Sequence, residues 1–152
     1  MFAARFSLAA VALCAGITTA MATDMGPGDV KVVDGEVSQS LTGASGTVAD
    51  GRKFFADRKL GNCLACHSNS DMSEQLFHGE VGPSLDGAGE RWSPEQLRAI
   101  VVDSKKVFGP QTVMPGFYSL EVGKDVRKDL VGKTILTPEQ VESIVAYLGT
   151  LK

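Results

Sequence analysis

The chain has 152 residues and a formal net charge of −3, with 18 acidic against 15 basic side chains. This length suits a single domain, and an acidic balance without a long basic run argues against nucleic acid as a partner. Only three cysteines are present, which argues against a fold built on several disulfides.

Residues 1–22 have the pattern of a secretory signal peptide. One basic residue, Arg5, precedes a short apolar stretch, and small residues close the segment. We expect its removal to leave residues 23–152 as a periplasmic protein with a charge of −4 and no membrane span. An uncleaved anchor is the alternative, and Cys14 is a weak candidate for a lipid anchor because a bulky leucine precedes it.

Residues 23–46 are rich in glycine, serine, threonine and aspartate, with one brief apolar run. Such a composition has little capacity to bury apolar surface, so it predicts an extended N-terminal arm with little independent stability. The composition leaves two interpretations open. The arm is either a disordered tail or a segment that becomes ordered against a partner chain.

The first predicted helix begins at Thr47, a capping residue followed by Asp50 at the third position, and runs to about Arg58. Gly51 and Phe55 are four residues apart and therefore share a face. A glycine inside a helix costs about 1 kcal/mol relative to alanine, which indicates a close approach by a second helix at this face.

Cys63, Cys66 and His67 form a C-x-x-C-H motif, the spacing used for covalent attachment of haem. Each thiol can form a thioether to a haem vinyl group, and the histidine then becomes an iron ligand. A zinc site would need further ligands that the cysteine and histidine inventory does not supply. A thioredoxin-like pair would need alternating strand and helix patterns. The motif therefore predicts one covalently bound haem c.

Gly82-Pro83 follows the motif and is either a simple turn or a rigid loop. In the second interpretation the Pro83 carbonyl accepts a hydrogen bond from the His67 ring, which would hold and tune that ligand. Trp92 either donates its indole proton to a haem propionate or fills packing space.

Two more helices begin with the same signal, a capping hydroxyl residue followed by Pro-Glu-Gln, at Ser93 and at Thr137. Both signals precede apolar residues at helical spacing: Leu97, Ile100 and Val101 in the first, and Val141, Ile144, Val145, Tyr147 and Leu148 in the second. Three helices, long connections and hardly any strand alternation predict an all-α domain.

Met114 is the predicted second axial ligand of the iron. It lies in a loop 47 residues beyond the motif histidine, and Pro115 restricts its backbone. Met72 follows the motif too closely to reach the opposite ring face, and Met25 lies on the arm. His78 remains the competing ligand. Ligation by histidine and methionine raises the reduction potential and leaves no open coordination position.

Together these residues resemble class I cytochromes c, and a finer set resembles SoxX, the monohaem subunit of the SoxAX complex of bacterial sulfur oxidation. The finer matches are Ser40–Gly43, Gly61–Ser68, Met114–Tyr118, Ile135–Thr137 and Val141–Leu148. The resemblance covers roughly Val37 to Lys152. It implies a class I cytochrome c fold in residues 47–152, with three main helices around the haem, behind the extended arm of residues 23–46.

In that family the SoxAX pair is an L-cysteine S-thiosulfotransferase that joins thiosulfate to a cysteine of the carrier SoxYZ. The resemblance implies that a SoxA-type partner performs the sulfur chemistry, while this chain accepts the released electrons and passes them to a small cytochrome c or another acceptor. No catalytic residue is expected in this chain, because haem attachment uses both cysteines of the mature protein.

Contact with the larger subunit is expected from the arm and from residues 116–136, a connection longer than compact carriers need. The alternative is a freestanding shuttle cytochrome. The lysines at 105–106 and the charged run 124–128 are either solvated surface or a docking site for an acidic partner.

Overall fold

The computed structural model describes residues 23–121 and 123–152. The predicted signal peptide therefore lies outside the described residues. The described part contains four α-helices and three short 3₁₀ turns: α1 Val48–Ala56, α2 Ala88–Arg91, α3 Pro94–Phe108 and α4 Pro138–Leu148, with turns at Cys63–Ala65, Ser70–Met72 and Lys128–Leu130. Apart from one isolated bridge, between Val33 and Glu36, the described residues show no strand pairing, which confirms the all-α prediction.

The helix starts follow the capping residues that the sequence indicated. Thr47 accepts a hydrogen bond from the Asp50 amide, and capping boxes begin at Ser93 and Thr137. Helix α1 ends two residues before the predicted Arg58. The Asp57 carboxylate accepts the Lys59 amide at 2.8 Å, so a local side-chain bond replaces the next helical one.

Helices α1 and α4 cross in close contact at Gly51, as the glycine indicated. A Cβ atom at this position would lie 1.8 Å from the carbonyl oxygen of Ser143. Next to the crossing, the rings of Phe55 and Tyr147 pack edge to face with centroids 5.5 Å apart. Only a residue without a side chain allows the two backbones to approach this closely.

The N-terminal arm packs against α3 and α4 of its own chain. Val37 and Leu41 are buried, and the Leu41 amide donates to the carboxylate of Glu142 at 2.8 Å. Arg98 donates to the Val37 carbonyl at 2.9 Å and forms a two-pronged ion pair with Glu142 at 2.7 and 3.0 Å. The arm is thus ordered without a partner chain, an outcome that its composition did not indicate.

Within the described residues, no helix combines the length and the apolar character needed to cross a membrane.

Candidate haem-binding site

The C-x-x-C-H motif forms a compact turn after α1. Asn62 adopts a left-handed conformation, with φ at 48°, and the 3₁₀ turn begins at Cys63. The amides of Cys66 and His67 both donate to the Cys63 carbonyl, at 3.1 and 3.0 Å. Leu64 is buried, whereas the two cysteines are half-buried and are not joined in a disulfide. The turn therefore presents both thiols and the imidazole within five residues.

Residues 79–85 run alongside this turn and are bonded to its backbone. Three backbone bonds connect the two segments: Gly79 amide to Leu64 carbonyl at 2.8 Å, Gly82 amide to Cys66 carbonyl at 2.7 Å, and Leu85 amide to Ser68 carbonyl at 2.9 Å. These bonds fix the position of the Pro83 carbonyl relative to the motif.

The His67 ring is oriented by that carbonyl. Its Nδ1 lies 2.7 Å from the Pro83 oxygen, which can only accept, so Nδ1 carries the proton. A Cβ atom on Gly82 would lie 2.3 Å from the ring, so the ring occupies the space that a side chain would take. This geometry confirms the positioning role predicted for Pro83. It leaves the Nε2 lone pair available to a metal.

Met114 lies in a loop attached to α3 and to the segment before α4. It is partly buried and packs against the hydrophobic core. Its carbonyl accepts a hydrogen bond from the Ser104 hydroxyl at 2.6 Å. Farther along the loop, the Phe117 amide donates to Val101, and the Phe117 carbonyl accepts from Leu136 at 2.9 Å.

The other candidate ligands are occupied in different ways. Both ring nitrogens of His78 are engaged, since Nδ1 accepts the Asn69 amide at 3.2 Å and Nε2 lies 3.1 Å from the Met72 carbonyl. The Met72 side chain is fully buried in the core. These contacts assign His78 a structural position and favour Met114 as the ligand.

Trp92 packs edge to face against Phe108, with ring centroids 6.1 Å apart. This contact supports the packing interpretation, and the hydrogen bond to a propionate stays a prediction.

A hydrogen-bond network that sequence reasoning missed connects the loop after the motif to α1 and α4. Asn69 is fully buried, and its amide nitrogen donates to the Tyr147 hydroxyl at 2.8 Å. That hydroxyl donates to Asp71 at 2.8 Å, and Arg52 donates to the same carboxylate oxygen at 3.1 Å. The only sequence signal was an aromatic residue beside the apolar face of the last helix.

The network changes the acidity of its members. Hydrogen bonds from Tyr147 and Arg52 lower the pKa of Asp71, because they stabilise the carboxylate. Burial, followed by the bond to Asp71, raises the pKa of the Tyr147 phenol. Asp71 is therefore a carboxylate and Tyr147 a neutral phenol at neutral pH, which are the protonation states that the network requires.

The residues of the motif fit a covalently attached haem better than a free thiol centre. Burial raises the pKa of the Cys63 thiol to about 12, so as a free group it would stay protonated and a poor nucleophile at neutral pH. The described residues also contain no cluster of three side chains suited to a bare metal ion. Two thiols, an oriented imidazole and a loop methionine are the donor set that haem c uses.

An open groove of about 470 Å³ lies between the residues that precede the motif and the 123–135 segment. Lys59 and Leu60, just before the motif, form one wall, and residues from the 123–135 segment form the other, among them Val126, Leu130 and Ile135. Its lining combines apolar side chains with basic ones and with the acidic Asp125.

Comparison with known proteins identifies the family to which the chain is similar. Residues 48–152 match the cytochrome c family. No curated protein matches the chain significantly. Among solved structures, SoxXA from P. pantotrophus is similar at 39% identity and a TM-score of 0.79, over 86% of this chain and 99% of that chain. The c-type cytochrome SorU from Sinorhizobium meliloti is similar at 26% identity and a TM-score of 0.44, over 68% of this chain and 88% of that chain.

The first of these structures confirms the resemblance to SoxX that the sequence indicated. The family match covers the motif, the Met114 loop and all four helices, and this family binds haem c covalently. The chain therefore belongs to the cytochrome c family.

Proposed function

We propose that this chain is the electron-accepting subunit of a SoxAX-type cytochrome that oxidises thiosulfate in the periplasm. The supporting observation is the similarity to SoxXA, which extends over 86% of this chain, more than residues 47–152 alone could provide, and over 99% of that chain. The periplasmic location rests on the pattern of residues 1–22 and on the maturation of haem c outside the cytoplasm.

One haem c, attached through Cys63 and Cys66 and ligated by His67 and Met114, supplies reversible one-electron chemistry when bound. The protein provides the orientation. Pro83 holds the imidazole in the tautomer that ligates through Nε2. The Met114 loop is attached to α3 by hydrogen bonds and would supply the second ligand. If His67 and Met114 both ligate the iron, the protein would leave substrate no place to coordinate.

The sulfur chemistry belongs to the partner in this proposal. Both cysteines in the described residues lie in the haem motif, so no thiolate remains to carry a sulfur substrate. The thiosulfotransferase activity, directed at the carrier SoxYZ, is therefore a property of the complex with a SoxA-type subunit. This chain takes up the electrons and delivers them to a small cytochrome c or another acceptor.

The partner surface is proposed to lie along residues 116–136 beside the groove. Apolar side chains of this segment are exposed, with Leu120 at 50%, Leu130 at 44% and Val131 at 65%. Exposed apolar side chains of this kind are found at protein interfaces more often than on ordinary surface. Leu60 lines the groove and lies three residues before Cys63 in the chain, which supports docking of the partner on this part of the molecule.

Thiosulfate-dependent reduction of the haem tests the proposal. Thiosulfate should leave the haem of the isolated mature chain oxidised. Addition of a SoxA-type subunit and the carrier should produce the reduced spectrum. Reduction of the isolated chain by thiosulfate, or no reduction in the complete mixture, would contradict the proposed role.

A freestanding shuttle is the second candidate, and the arm favours it, because the arm is already packed against its own chain and does not need a partner to become ordered. Purification from the native source distinguishes the two. An obligate subunit co-elutes with a second cytochrome, whereas a shuttle elutes as a monomer.

A further inference from the structure

Helix α3 is broken at Asp103, where φ is −155° and ψ is 89°. Both angles are far from helical values, so the hydrogen-bond ladder is interrupted at this point. The Lys105 amide donates to the Asp103 carboxylate at 3.2 Å, and this side chain thus caps the helical turn that follows. The last helical residues, to Phe108, form a restarted segment.

The break makes two backbone carbonyls available to another part of the chain. In an unbroken helix the carbonyls of Val101 and Val102 would accept from the amides four residues later. Here they accept from Phe117 and Tyr118, each at 3.1 Å. The loop that carries Met114 is therefore attached to the backbone of α3 at the break.

A third attachment comes from Ser104, the residue after the break. Its side chain is fully buried, and its hydroxyl donates to the Met114 carbonyl at 2.6 Å, with the Pro115 carbonyl next at 3.5 Å. A serine within a helix commonly bonds to a carbonyl of its own preceding turn. Ser104 instead reaches across to the loop, and its partner belongs to the residue that we assign as an axial ligand.

We propose that the break in α3 is a platform for the Met114 loop, and that Ser104 and Asp103 are positioning residues that keep the Met114 sulfur at the haem iron. The inference rests on the proposed function, since it takes Met114 as the ligand. A thioether is a weak ligand, so its occupancy depends on how often the loop detaches. Ser104 acts on the loop backbone, and Asp103 acts on the helix that supports it.

Imidazole binding to the ferric holoprotein measures this detachment, because imidazole can coordinate only when Met114 leaves the iron. Ser104→Ala should tighten imidazole binding about fivefold, the factor expected from losing one hydrogen bond of ordinary strength. Hydrogen exchange at the Phe117 and Tyr118 amides should accelerate by a similar factor. Asp103→Ala should act in the same direction.

Ser119→Ala is the matched control, because Ser119 is a buried serine of the same loop whose hydroxyl accepts the Glu121 amide instead. It should leave imidazole affinity unchanged. Methionine ligation of ferric haem gives a charge-transfer absorption band in the red, from sulfur to iron. If Ser104→Ala and Ser119→Ala behave alike while the wild type shows this band, the inference is overturned and the proposed function stands. If the wild-type ferric protein lacks that band, methionine ligation itself is wrong, and the inference falls together with the ligand assignment.

Discussion

The His67 imidazole is held between two neighbouring residues with different tasks. Pro83 accepts the Nδ1 proton at 2.7 Å, which fixes the tautomer and the direction of Nε2. Gly82 makes room, since its missing side chain leaves the space that the ring fills. The Pro83 bond and the missing side chain of Gly82 thus position the imidazole together, and the two residues are consecutive in the chain.

Gly82→Ala should displace the imidazole, because the new Cβ would lie 2.3 Å from the ring. We expect a loss of about 1–3 kcal/mol in the free energy of unfolding, the usual cost of overpacking. Urea unfolding of the holoprotein, followed at the haem absorbance, measures this loss. Gly28→Ala is the control, since no atom lies within 4 Å of its Cβ position. Equal stability of the two variants would show that the ring is not confined as described.

The helices are joined by two kinds of contact, a close backbone crossing and a buried ion pair. Helices α1 and α4 meet through Gly51, where the Ser143 backbone lies within the space of a side chain. Helices α3 and α4 meet through the Arg98–Glu142 pair. Glu142 also accepts a hydrogen bond from the arm, and Arg98 donates one to it. The first contact sets the distance between helices, and the second attaches the N-terminal segment to them.

Gly51→Ala tests the helix crossing. Its Cβ would lie 1.8 Å from the Ser143 oxygen, so the helices must separate, and we expect a loss of at least about 3 kcal/mol, the upper end of overpacking costs. Gly149→Ala is the control, because its nearest neighbour would be 3.5 Å away and its φ is −62°. It should be neutral or stabilise by up to about 1 kcal/mol. Urea unfolding of the holoproteins compares them, and similar values would contradict the close crossing.

Arg98→Met tests the buried ion pair. It leaves the Glu142 carboxylate buried without its cation, and such a loss costs about 3–5 kcal/mol. The arm should also become accessible to protease, since Val37 and Leu41 are attached through this pair. Arg127→Gln removes an exposed pair with Asp129 and should cost less than about 1 kcal/mol. An arm that stays resistant in Arg98→Met would show that apolar packing alone holds it.

At the scale of the whole molecule, carboxylates accept hydrogen bonds both within a helix start and between segments that are distant in sequence. The Thr47 hydroxyl lowers the pKa of Asp50, the Tyr147 hydroxyl lowers that of Asp71, and the Ser70 hydroxyl lowers that of Asp86. Because the folded state lowers the pKa of these carboxyl groups, each carboxylate contributes to folding stability above its pKa in the unfolded chain, which is about 3.9 for aspartate. This contribution is lost as the pH falls through the lower folded-state value.

Folding stability should therefore decrease as the pH is lowered below about 4. Asp71→Asn should be less stable than the wild type at pH 7, and the difference between the two should shrink as the pH falls, because the wild type loses its carboxylate bonds there. Urea unfolding between pH 7 and pH 3 measures both curves. Parallel curves at all pH values would show that Asp71 contributes nothing through its charge.

The sequence by itself determined the local features. The helix starts at Thr47, Ser93 and Thr137 follow from short-range chemistry, because capping acts within a few residues. Gly51 indicated a close approach by a second helix, while the spacing of Gly82-Pro83 left the role of Pro83 open until the structure showed its bond to His67. The resemblance carried by the motifs likewise indicated the family that the comparisons show.

Only the tertiary structure decided what depends on residues far apart in the chain. Leu41 and Glu142 meet across 101 positions, so the composition of the arm could not indicate its order. The hydrogen bonds of Asn69 to Tyr147 and of Ser104 to the Met114 carbonyl likewise depend on the fold. Buried polar groups need partners, but the sequence does not name them, because the fold alone brings those atoms within hydrogen-bond distance.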